Sequence, residues 1–191
     1  DRGGRVAHRM ALDVTEKIKS ITLMDIVPTK LLLSELTTQV AQSYYHWLFL
    51  AQPSPFPEKL ISADPNYFYE SCLLGWGSTN LDNFDLEKLK HYRKSWNNVD
   101  TIRAMCDDYR AAIQFDWAFD NEDDNRCLDI PACVMWGETG AMAKHFDVPL
   151  TWENKFLNIH KKPMHGGHFF PDQYPEETKS ELVSFISNNT D

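Results

Sequence analysis

Two short apolar runs, Lys19–Asp25 and Ala132–Trp136, read as strands, and about 100 residues between them offer no convincing strand. Neither run alternates apolar with polar, as a strand buried on both faces of a parallel sheet would not. The first ends in a carboxylate, Asp25, and is closed by Pro28; the second runs into Gly137. Val6, Met10, Val14 and Ile18 recur at helical spacing, which predicts a helix over Gly4–Ile18. After the second run, Trp152–Leu157 is predicted to pack as a helix and Phe156–Lys161 to form a last strand. Glu176–Ser187 reads as a closing amphipathic helix, with Leu182, Val183, Phe185 and Ile186 on or near one face. Strands alternating with helices indicate an α/β layer architecture with a mostly parallel sheet. About three strands are fewer than a buried parallel sheet usually has. The expectation is therefore that earlier strands precede residue 1.

The stretch Thr29 to Asn125 is rich in aromatics, among them Tyr44, Tyr45, His46, Trp47, Phe49, Trp76 and Trp96. Prolines at 53, 55, 57 and 65 divide it into short helices, and the acidic run Asp120–Asp124 marks its end. It reads as a helical cap inserted into the core, so residues 1–28 and 126–191 form the core and residues 29–125 the lid. A formal net charge of −9 leaves no basic stripe for nucleic acid. An anionic substrate would have to rely on local arginines against that field. No apolar run is long enough to span a bilayer, and the opening residues have no apolar segment of a signal peptide. Cys72, Cys106, Cys127 and Cys133 form no C-x-x-C pair, which favours buried thiols in a reducing compartment and a cytoplasmic location. His165 and His168 sit three apart across two glycines with no second ligand pair, so neither metal nor cofactor is expected.

Asp1-Arg2-Gly3-Gly4-Arg5 looks like the second half of a nucleophile elbow, the strained strand-to-helix turn that exposes a nucleophile among small residues. An aspartate stands where serine is usual, and the chain is read as beginning inside that motif. The order nucleophile, acid, base then gives Asp1, Asp25 and His168, the last in the loop Met164–Phe170 before the closing helix. Many α/β-hydrolases carry the acid after the strand assigned to Ala132–Trp136, but that position is Gly140 here. Asp25 fits the alternative placement of dehalogenase-type members. Over nearly its whole length the chain resembles the haloacetate (fluoroacetate) dehalogenases. The stretches that carry the resemblance are Asp1–Asp13, Met24–Thr29, Tyr45–Pro53, Ala63–Cys72, Asp108-Tyr109-Arg110 and Gly166–Phe170.

The resemblance implies an α/β-hydrolase fold and hydrolysis of a short haloacid to a 2-hydroxy acid, halide and a proton. Asp1 would form an ester with the substrate carbon. His168 would activate the water that cleaves it, and Asp25 would orient His168. By the same resemblance Arg2 and Arg5 would hold the substrate carboxylate. His46, Trp47 and Tyr109 would donate to the leaving halide, and Trp76 matches a further lid position. Without the resemblance, Tyr44–Trp47 reads as lid core. Members of that family are commonly dimeric, which leaves a homodimer through the aromatic lid open. Two competing functions remain. An epoxide hydrolase uses the same Asp–His–Asp set but two lid tyrosines, which a His-Trp pair with two arginines suits less well. A non-catalytic piece would lack the strand before Asp1 and half of an oxyanion hole, to which the Arg2 N–H contributes the other half.

Overall fold

The computed structural model describes residues 1–75 and 80–189. Helix α1 (Arg2–Asp13) leads through a short 3-10 turn, Thr15–Lys17, into β1 (Ile21–Met24). Helices α2 (Thr29–Ser34), α3 (Thr38–Ser43), α4 (Tyr45–Leu50), α5 (Phe56–Ala63), α6 (Pro65–Gly75), α7 (Leu86–Trp96) and α8 (Val99–Ala111) follow. A π-helical segment, Ala112–Asp116, joins α8 directly to α9 (Trp117–Glu122). Then come β2 (Ala132–Gly137), α10 (Ala141–His145), β3 (Ile159–Met164), α11 (Phe170–Gln173) and α12 (Pro175–Asn188). The strands lie in the order β1-β2-β3, all parallel, with Leu23 opposite Val134 and Val134 opposite Lys161.

The strand period of two divides the core between two faces. Ala132 and Val134 of the central strand point into the larger cluster, with Ala11, Leu12, Trp152, Phe156 and the lid residues Trp47, Leu50, Ile102 and Tyr109. Cys133 and Met135 point the other way, into a smaller cluster with Met164, Phe170 and Phe185. A third cluster, Leu73, Phe84, Leu89 and Trp96, lies within the lid and touches the core through Phe169. None of the four cysteines is disulfide-bonded. No helix among the described residues is long and apolar enough to cross a membrane.

Two predicted elements differ from the structure. Trp152–Leu157 is not a helix: only a 3-10 turn, Leu150–Trp152, forms. Trp152 and Phe156 are both buried, Trp152 donates to the Ile26 carbonyl at 2.8 Å, and Phe156 makes a parallel bridge with Leu128. These tertiary contacts hold the segment extended against the core. The last strand consequently starts at Ile159, three residues later than the predicted Phe156, and accommodates Pro163 because β3 has a neighbour on one side only.

The acidic end of the lid binds back onto the core. Asp123 pairs with Arg9 of α1 at 2.5 Å and with Arg126 at 2.9 Å. Asp124 pairs with Lys30 at 2.8 Å and Lys155 at 3.1 Å, and Asp120 accepts from the Lys30 N–H at 3.1 Å. Burial works against the Asp123 charge, but the hydrogen bonds from Arg9 and then Arg126 outweigh it and lower its pKa. A depressed carboxylate pKa contributes stability above the unfolded value, near ~3.9, that is lost as pH falls through the folded one. Asp123→Asn is therefore expected to cost about 1 kcal/mol at neutral pH, after allowance for solvent screening. The difference from the parent should shrink below about pH 4; urea unfolding of both proteins at neutral pH and at about pH 3 checks it.

Candidate active site

Three element ends meet at one edge of the sheet. Asp1 is the N-cap residue of α1 and makes no side-chain cap bond, so its carboxylate is left for other work. Asp25 follows β1 with φ of +49°, a conformation in which aspartate is among the few tolerated side chains. Its carboxyl group is almost wholly buried, and Oδ1 accepts from the Gly137 N–H at 3.1 Å. Its Oδ2 lies 2.7 Å from Nδ1 of His168. The other ring nitrogen, Nε2, lies 3.9 Å from Oδ2 of Asp1. That is beyond hydrogen-bond range and leaves room for a bridging water.

Gly137 makes this meeting sterically feasible. A Cβ there would collide with the Gly167 carbonyl, and one at Gly140 would come within 3.2 Å of the His168 N–H nitrogen. Thr139 N–H bonds the Gly166 carbonyl at 3.0 Å, and Gly167 N–H bonds Gln173 Oε1 at 2.9 Å, which fixes the histidine loop over the end of β2. Gly166, at φ of +95°, turns that loop where a side chain would be strained. The absence of a carboxylate at position 140 is thus a packing requirement as well as a chemical difference.

Asp1 opens on a cavity of about 470 Å³ between core and lid. Arg2, His46 and Tyr109 line it, together with an apolar wall that includes Leu50, Phe68, Trp96, Met105 and Phe169. Trp96 stacks on Tyr69 at 5.1 Å, which stiffens that wall. Burial, then the charge of His168, pushes the pKa of His46 down to about 3, so its ring is neutral at physiological pH. Burial pushes the phenol of Tyr109 above its ordinary value, so it keeps its proton.

The remaining candidates stand differently. Trp47 is buried behind the cavity wall, edge-on to Tyr109 at 5.3 Å, with the guanidinium groups of Arg2 and Arg5 against its ring at 5.3 and 4.7 Å. Arg5 does not line the cavity: its Nη1 donates to the Val27 carbonyl at 2.5 Å and to Thr29 Oγ1 at 3.3 Å. Burial, then repulsion from Arg2, lowers its pKa to about 10. Arg2 does line the cavity, yet most of its fork is occupied. Its Nε and Nη2 meet the two carboxylate oxygens of Asp108 at 2.6 and 3.1 Å, and Nη2 also meets Asp116 at 2.7 Å. Nη1 is buried without a hydrogen-bond partner. Trp76 lies outside the described residues. Among the described residues no group of three His, Cys, Asp or Glu side chains is placed to hold a metal ion. Sequence reasoning assigned no role to Asp108, Asp116 or Gly137. Asp108 precedes Tyr109 in a stretch that carried the resemblance, but nothing in the spacing announced Asp116.

Residues 1–175 match the family model described as alpha/beta hydrolase fold. A fluoroacetate dehalogenase from a Burkholderia species is 44% identical over 188 residues, which cover 98% of this chain and 62% of that protein. Two solved structures that carry provisional names superimpose closely. An alpha/beta hydrolase from Nostoc sp. PCC 7120 has a TM-score of 0.93 at 38% identity, covering 97% of this chain and 64% of that one. An epoxide hydrolase from Pseudomonas aeruginosa has a TM-score of 0.90 at 29% identity, covering 99% and 63%. The chain thus spans somewhat less than two thirds of these relatives' lengths.

Two outcomes follow from the geometry. In an NMR pH titration the ring signals of His46 should not move between about pH 5 and 8, because desolvation disfavours its charged form. Gly137→Ala should destabilise the protein by about 1–3 kcal/mol through overpacking. It should also remove the downfield Nδ1–H resonance of His168 by separating that ring from Asp25. An unchanged resonance in a folded variant would show that the loop tolerates the methyl group.

Proposed function

The chain belongs to the alpha/beta hydrolase fold family, and from that premise we propose that it hydrolyses the carbon–halogen bond of a short haloacid, such as fluoroacetate or chloroacetate, through an ester on Asp1. The 3.9 Å gap between His168 and Asp1 carries this reading. A serine nucleophile must give up a proton, so its base sits within hydrogen-bond reach of it. A carboxylate at neutral pH has no proton to lose, and its base is needed only for the water of a second step. A separation wide enough for that water fits the second arrangement.

In the first step Asp1 Oδ attacks the carbon that bears the halogen. A C–O bond forms as the C–X bond breaks, and halide leaves with the bonding pair. Neutral His46 and protonated Tyr109, both on the cavity wall, are the groups that would donate to it. Trp47 would act from behind them by packing on Tyr109 and the two arginines. In the second step His168 Nε2 takes a proton from water while the hydroxide adds to the ester carbonyl of Asp1. Asp25, bonded to Nδ1, fixes the ring and balances the imidazolium. Collapse releases the 2-hydroxy acid and restores Asp1. Arg2 would bind the substrate carboxylate; Arg5, turned to Val27 and Thr29, would shape the field beside it rather than touch the substrate.

Halide release from chloroacetate by the full-length protein tests the proposal. Asp1→Asn is expected to abolish release. His168→Gln should let the first step proceed and accumulate a carboxymethyl ester on Asp1, visible by mass spectrometry. No release from either haloacetate, with turnover of styrene oxide instead, would move the assignment to an epoxide hydrolase, a reading that the Pseudomonas relative and the tyrosines on the wall, Tyr69 and Tyr92, keep in view.

A further inference from the structure

We propose that Asp108 and Asp116 are positioning residues for Arg2, and that the π-helical segment Ala112–Asp116 exists to bring the second of them onto that side chain. Arg2 reaches from α1 across to the lid, where both carboxylates grip it: Asp108 through Nε and Nη2, Asp116 through Nη2 alone. The Asp108 backbone carbonyl adds a contact to Nη2 at 3.3 Å. The rings of Trp47 and Tyr109 lie 5.3 and 5.8 Å from its guanidinium carbon. Burial disfavours the charge of Arg2, but the hydrogen bonds to Asp108 and then Asp116 more than offset this, so its pKa is raised.

The helix phase explains how two residues so spaced reach one guanidinium. Asp116 lies eight positions after Asp108. At about 100° per residue, that is about 80° beyond two full turns of α-helix, which would aim Asp116 away from the face that Asp108 shares with Arg2. A π turn, with i→i+5 bonds, accommodates about one extra residue and so takes back about 100°. The two carboxylates then emerge on nearly the same face, as their shared contact with Nη2 requires.

The grip leaves one nitrogen of Arg2, Nη1, buried and without a hydrogen-bond partner. A buried donor on a charged group is costly unless something fills it. The inference, which rests on the haloacid reading, is that a substrate carboxylate meets Arg2 through Nη1 alone. Selectivity for a carboxylate over its neutral amide then depends on how firmly the aspartates hold that edge in place.

Simple electrostatics and positioning predict opposite signs. Removing a negative charge beside an anion site should strengthen anion binding, whereas loss of a positioning residue should weaken it. Calorimetric titration of the full-length protein with acetate and with acetamide separates them and needs no turnover. Asp108→Asn is expected to weaken acetate about tenfold and Asp116→Asn by about half of that on a logarithmic scale, in line with loss of charge-assisted contacts. Acetamide should be unaffected in both variants. Asp107→Asn, which removes an exposed neighbouring charge that pairs with Arg110, is the control and should change neither. Unchanged or tighter acetate binding in Asp108→Asn overturns the inference, as does an equal loss of acetate and acetamide. Aspartate-dependent acetate binding in a protein that releases no halide would uphold the positioning role and overturn the dehalogenase reading.

Discussion

The hydrogen bond between Asp25 and His168 requires the ends of β1 and β3 to meet over the end of β2, although β2 lies between them in the sheet. Gly137 makes that possible twice. Its missing side chain leaves space for the Gly166–Gly167 backbone, and its N–H holds the second oxygen of Asp25. The buried carboxylate is therefore bonded on both oxygens, one to a backbone donor and one to the ring it orients, which offsets the cost of burying charge. The unusual backbone of Asp25 belongs to the same arrangement: strain at a strand end aims a carboxylate where an ordinary strand residue would not point.

The lid is fastened by two kinds of interaction with different reach. Trp47, Leu50, Ile102 and Tyr109 join the main apolar cluster, which gives area and no direction. Asp120, Asp123 and Asp124 supply direction, each on a partner in α1, α2 or the loop before β3. With Asp116 they recur at intervals of four, three and one, so one face of the helix carries the whole set. An acidic run that reads as a solvated boundary in the sequence is in the structure the seam by which the lid returns to the core.

Elements set by local pattern were legible. The strands at Ile21–Met24 and Ala132–Gly137 coincide with unbroken apolar runs, and α1 begins where the elbow-like opening ends. Asp1, Asp25 and His168 could be ordered because each stands at the end of such an element, and the structure brings the three together. What escaped depends on contacts between distant segments. Trp152 and Phe156 looked helical by content but are held extended by Ile26 and Leu128. Arg5, three residues after Arg2 and equally basic, turns to Val27 because α1 rotates it toward β1. Asp116 was invisible because its place on the helix face depends on a π turn, and no residue in Ala112-Ile113-Gln114-Phe115-Asp116 announces one.

That π turn ties two remote tasks to a single count of residues. Upstream of it stand Asp108 and Tyr109 on the cavity; downstream stand the carboxylates that fasten the lid to Arg9, Lys30 and Lys155. Substituting any one side chain leaves the others aimed as before. Losing one residue between positions 112 and 116 would restore a plain α-helix and rotate everything after it by about 100°, turning Asp116 from Arg2 and the fastening face from the core together. Over this stretch length is under a tighter constraint than identity, so the lineage of this lid should drift in composition while keeping its number of residues.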